Sequence, residues 1–212
     1  MKPWIPLSLA AGLALSLPAF ASAQAAAEDT TAKASLADTK AALRDVWIGH
    51  IFWVRNVVDA RFEGNEKAAK VAEQQVVANA REIAGAIEPF YGEEASEKLF
   101  ELLAGHWGAI SDYLDATRAD SKSDQDAAFQ RLVDNADAIA EFLAGANPNW
   151  PVDTLRSLLT AHGSHHVQQI QQFDAGEFEE EAKTWAMMTD NVYVIADALA
   201  EGIARQFPDK FR

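Results

Sequence analysis

Apolar residues recur along this chain at helical spacing. Leu36, Leu43, Val46, Trp47, Trp53, Val54 and Val57 follow a 3.6-residue period. Gly64-Asn65 interrupts it, and a second helix is expected over 66–88, stopped by Pro89. The pattern resumes over 96–117 and again over 124–144, with a polar turn through Ser121 and Ser123 between them. The run ANPNWP (146–151) forces a loop, and Pro151 suits the first turn of the next helix. That helix is expected over 152–173, and after a turn at Ala175-Gly176 a last one follows over 177–205. Glu177, Glu179, Glu180 and Glu181 stand at its N-terminus, where the helix dipole favours acids, so they need no other role. No stretch shows the two-residue alternation of a strand.

The helices come as three copies of one unit. Leu43 and His50, Leu99 and His106, and Leu155 and His162 share one spacing, and His50, His106 and His162 are separated by a constant step of 56. Asn79, Asn135 and Asn191 keep the same step, as do Ile83, Ile139 and Ile195, each followed by alanine. Ile87, Leu143 and Leu199 complete the frame, and no gap is needed. A fixed internal period of this length marks a repeated supersecondary unit. The expected fold is therefore all-α: three tandem antiparallel helical hairpins, about 36–88, 93–145 and 151–205, in one up-and-down bundle over 36–212. A closed bundle is preferred to an open solenoid, because long helices can bury both of their apolar seams.

The repeat also carries the candidate chemistry. His50 lies seven residues from Leu43 and Val57 on an apolar seam, and His106 sits likewise between Leu99 and Tyr113. If the three first helices form an inner ring, His50, His106 and His162 meet on the axis, with nitrogens roughly 3 to 4 Å apart around a metal. Counting outward from each turn puts His50 level with Asn79, His106 with Asn135 and His162 with Asn191, so each amide would hold the ring's other nitrogen. The third copy adds His165 and His166. His162 and His166 are one turn apart on a shared face, and the same count sets His166 level with Met187. A second candidate site is thus His162, His166 and Met187. Imidazole and thioether donors favour copper, then zinc; a third option is non-covalent haem held by His and Met. Against all of these stands a structural reading, in which His–Asn layers only fix helix register in a protein-binding bundle and no metal is bound.

Composition narrows the setting. Residues 1–23 combine Lys2, an apolar run and Ala21-Ser22-Ala23, the pattern of a signal peptide cleaved near Ala23. A periplasmic or secreted protein is expected, with a flexible tether over 24–35 and no stable membrane insertion. With no cysteine, disulfides and thiolate sites are out. The formal charge of −14, without a basic cluster, speaks against nucleic acid. Arg55 is read as a surface residue, and the stretch Gln168 to Gln172 as either a solvated helix end or the rim of a site near His165. No phosphate loop, GxSxG, HExxH or cysteine nucleophile is present, so no catalytic residue is assigned.

The segments WIGHIFWVRN (47–56), EPFYG (88–92), ANPNWP (146–151) and ADALAEGIARQFPDKF (196–211) resemble a largely uncharacterised group of small exported bacterial helical-bundle proteins. The C-terminal GI-x-RQFPDKF run is the most specific of them. The resemblance implies export and a helical fold, and no activity.

Overall fold

Each hairpin turns on the same device. Gly64, Asp120 and Gly176 hold φ of +70°, +51° and +70°, and these residues are equivalent in the repeat. This left-handed conformation suits glycine and is tolerated by aspartate. The following amides reach back alike: Asn65 N–H to Ala60 O (2.8 Å), Ser121 N–H to Ala116 O (2.9 Å) and Glu177 N–H to Gln172 O (2.8 Å). Carbonyls left over at the helix end are thereby satisfied in every copy.

The computed structural model describes residues 33–212. The signal peptide expected over 1–23, and the tether over 24–32, lie outside the described residues. Seven helices follow in order: α1 Leu36–Phe62, α2 Glu66–Gly85, α3 Glu88–Tyr91, α4 Glu93–Arg118, α5 Lys122–Ala146, α6 Val152–Ala175 and α7 Phe178–Gln206, with a final 3₁₀ turn Pro208–Lys210. Ser35 caps α1 by accepting from Asp38 N–H, and Asn65 caps α2 by accepting from Ala68 N–H, both at 3.2 Å. The second helix ends at Gly85, earlier than the expected limit of 88, and Pro89 opens the one-turn α3. No strand occurs among the described residues.

Antiparallel partners α1 and α2, α4 and α5, and α6 and α7 pack within the hairpins; α2 meets α4, α5 meets α6, and α7 returns to α1. The ring therefore closes as an up-and-down bundle, not as an open solenoid. Across its interior α6 also touches α1 and α4. The repeated aliphatics Leu43, Leu99, Leu155, Ile83, Ile139, Ile195, Ile87, Leu143 and Leu199 are all buried in one apolar layer. Val54, Val58, Val76, Ile110, Leu114, Leu132, Ile170 and Phe173 build a second. Each such side chain contributes about 1.5–3 kcal/mol on leaving water.

Three of the four segments that carried the family resemblance, 88–92, 146–151 and 196–211, meet at one end, whereas 47–56 lies within α1. Asn147 Nδ2 donates to Tyr91 OH (2.8 Å), Tyr91 OH to Gln206 Oε1 (2.7 Å) and Gln206 Nε2 to Ala146 O (3.1 Å). Phe90 packs against Phe207 and Phe211. Ala34 N–H donates to Lys210 O (3.0 Å) and Arg212 N–H to Ala34 O (3.1 Å), so the residues just before α1 pair with the last residues of the chain. No helix of the described residues is long and apolar enough to cross a membrane.

Candidate metal centre

The inner helices each present a histidine at the repeat position: α1 gives His50, α4 gives His106 and α6 gives His162. They are 5%, 4% and 1% exposed. Their ring centroids form a triangle with sides of 6.0 Å (His50–His106), 5.3 Å (His50–His162) and 5.6 Å (His106–His162). His166, one turn further along α6, closes the figure at 5.4, 6.1 and 4.6 Å from His50, His106 and His162. A square of four rings would have two long diagonals joining opposite pairs. Here no two opposite pairs are both long, so the arrangement is tetrahedral. One nitrogen from each ring lies within 4.8 Å of all the others. The Nε2 atoms of His162 and His166 are 3.2 Å apart. Tetrahedral Zn–N bonds of about 2.0–2.1 Å place nitrogens roughly 3.3 Å apart, so the His162–His166 pair already has the spacing.

The repeat shows what His166 displaces. Its equivalents are Val54 and Ile110, both at most 1% exposed. The third copy has put an imidazole where the others keep an aliphatic core residue. Trp47 stands edge-on to His50 and His162.

Burial keeps all four rings neutral. It lowers His50 to about 3, with His106 adding to the effect. His106 is lowered to about 4, again by burial, with nearby Asn135 opposing. His162 and His166 are held well below the usual range by burial first and by their neighbouring histidines second. Metal binding needs such deprotonated rings with free lone pairs. Both nitrogens of His106, and Nδ1 of His162 and of His166, are buried without a hydrogen-bond partner. Each unsatisfied buried group costs about 1–3 kcal/mol. A layer kept only to fix register would be expected to match its donors and acceptors.

Several expected roles need correction. Asn79, Asn135 and Asn191 do not hydrogen-bond the rings. Their Nδ2 atoms donate to Val46 O (2.9 Å), Leu102 O (3.0 Å) and Leu158 O (3.3 Å), the carbonyls one turn before each histidine. Gly49 and Gly105 ease the approach in the first two copies: a Cβ there would come within 2.9 and 3.1 Å of the amide nitrogen of Asn79 and Asn135. The third copy has Ala161 instead, and its bond is the longest. Met187 is 50% exposed and so is no part of the buried cluster, while Met188 is buried. Haem has no room, because the rings already touch and the cavity beside them holds about one water.

Arg55 is not a simple surface residue either. Its Nε and Nη2 bond both oxygens of Glu181, at 2.6 and 2.8 Å, and Glu181 is 2% exposed. Gln169, fully buried, donates Nε2 to the same carboxylate at 2.8 Å. The glutamine stretch is thus partly interior, whereas Gln168 is exposed and His165 only half-buried. Glu181 had a signal in the repeat, since its equivalent in the first copy is the buried Ala69.

Comparison of the chain with protein-family models, curated proteins and solved structures returns no match. Function must therefore be argued from the site. Four buried neutral imidazoles on a tetrahedron could hold one metal ion. With all four positions filled by protein, no place is left for a reacting water or substrate.

Proposed function

We propose that this protein is an exported helical bundle that binds one transition-metal ion between His50, His106, His162 and His166. The observation that carries the reading is the fourth histidine. The third copy of the repeat exchanges an apolar core residue for an imidazole, and that ring offers the fourth donor of a tetrahedron. With Met187 at the surface, the thioether argument for copper ahead of zinc falls away. Four neutral nitrogens in this geometry suit Zn(II) and equally Cu(I), whereas Cu(II) prefers a tetragonal arrangement. A closed site of this kind carries, stores or structures a metal rather than using it in catalysis.

The test is a titration of the purified chain with Zn(II), Cu(I) and Cu(II), repeated on His106→Ala and His166→Ala. The reading expects one tightly held ion per chain and its loss in both variants, because the two rings belong to one site. Absence of stoichiometric binding, or full retention in both variants, would overturn it. The second reading, a register-setting polar layer, draws on the three Asn–carbonyl bonds that recur at equivalent positions, and it would then stand.

A further inference from the structure

The three copies act as internal controls for one another, and the third departs from the others at more than His166. Gln169 replaces Val57 and Tyr113, Glu181 replaces Ala69 and Gln125, and Thr184 replaces Ala72 and Ala128. Gln169, Glu181 and Thr184 are all at most 2% exposed. A polar residue that is buried costs free energy unless its polar atoms find partners. Here the exchanges sit in one hairpin, on the side of the histidine cluster toward the α6–α7 turn.

Resting on the metal reading, we infer that Gln169 and Glu181 complete the site from outside: Gln169 orients His166, and Glu181 supplies the negative charge that the four imidazoles lack. The Nε2 atom of His166 faces that of His162, so Nδ1 is the nitrogen turned away from the centre. A ring that binds metal through Nε2 carries its proton on Nδ1 and needs an acceptor for it. That Nδ1 is buried and unpartnered, and so is Oε1 of Gln169, one turn along the same helix. The other end of the amide already donates to Glu181 (2.8 Å). A bond between that donor and that acceptor would complete a chain from imidazole through amide to carboxylate.

Charge gives the second argument. Neutral ligands leave the ion's charge whole in a weakly polarisable interior, which is expensive without a counter-charge. Glu181 is the only buried carboxylate among the described residues. Its partner Arg55 comes from α1 and has its side chain 39% exposed, between the rings of Phe173 and Trp185. Arg55 therefore neutralises Glu181 in the metal-free protein and is free to turn toward water when an ion takes over that task.

The experiment measures Zn(II) affinity on the full chain by competition with a chromophoric chelator, alongside metal-free thermal stability. Gln169→Leu, which restores an apolar residue, is expected to weaken Zn(II) by about 10–100-fold, as removal of such supporting groups does, and the metal-free melt reads separately the loss of its bond to Glu181. Glu181→Gln should weaken Zn(II) in the same sense. Arg55→Gln should act oppositely, tightening Zn(II) while destabilising the metal-free protein, because the ion then relieves an unpaired carboxylate. In the zinc-loaded wild type, nitrogen-edited NMR should find the His166 Nδ1–H proton, and Gln169→Leu should lose it. If the wild type takes up no Zn(II), the metal reading itself fails and this inference with it. If the wild type binds Zn(II) and all three variants bind within about twofold of it, the metal reading stands and this inference is overturned.

Discussion

Replacing His166 with isoleucine, the residue that the second copy carries at that position as Ile110, sets stability and metal binding against each other. In the metal-free protein the substitution removes a buried ring whose Nδ1 has no partner, a penalty of about 1–3 kcal/mol. The new side chain is similar in bulk, and an imperfect fit returns less than about 1.5 kcal/mol of that gain. A net stabilisation of about 1–2 kcal/mol is expected, or a rise in melting temperature of about 2–8 °C for a domain of this size. The loaded protein should respond in the other direction. Structural zinc sites release about 10–16 kcal/mol over four ligands, so one ligand is worth about 3 kcal/mol, or roughly two orders of magnitude in affinity. Thermal melts of the metal-free chain and chelator competition with Zn(II) read the two effects separately. A variant that is less stable by more than about 1 kcal/mol yet binds metal like the wild type would refute the reasoning, because the imidazole would then be a structural residue.

Acidification should unfold the metal-free protein from within. His50 and His106 titrate near 3 and 4 when folded and near the ordinary value of about 6.5 when unfolded, so between those limits the unfolded chain binds more protons. Their contribution is fully present above about pH 6.5 and falls with pH, reaching roughly 2 kcal/mol lost per ring at about pH 5; His162 and His166 act in the same direction. Urea melts followed by circular dichroism should therefore lose at least about 4 kcal/mol between pH 7 and pH 5, and a flat profile would contradict the burial of neutral rings. At the closed end of the bundle, Asn147→Ala removes bonds to Tyr91 OH and to the backbone and side-chain amides of Asn149. It should cost about 2–3 kcal/mol with no change in Zn(II) affinity, and a loss of metal binding would tie that end to the site.

The repeat made most of this fold legible, because a gapless step carries apolar seam, turn and histidine together. His50, His106 and His162 fall on the axis for the same reason that Leu43, Leu99 and Leu155 do. What the sequence left open were choices of one residue or one rotamer. An asparagine level with a histidine reaches either the ring or the backbone, and all three reach the carbonyl, whether glycine (Gly49, Gly105) or Ala161 precedes the histidine. Met187 and Met188 differ by about 100° around the helix, so a count that assumes straight antiparallel helices cannot choose between them, and the buried one proved to be Met188. The Arg55–Glu181 pair joins residues far apart in sequence. An acid in the first turn of a helix is explained by the dipole alone, and nothing local betrays that Glu181 is covered by neighbouring helices.

X-ray absorption spectroscopy of the chain loaded with one equivalent of Zn(II) tests the central claim most directly, since it reports the atoms around the ion. The account predicts four nitrogen neighbours at about 2.0–2.1 Å, with the outer scattering of imidazole rings and no sulfur. An ion bound by carboxylate and water oxygens, or one that does not stay with the protein, would contradict it.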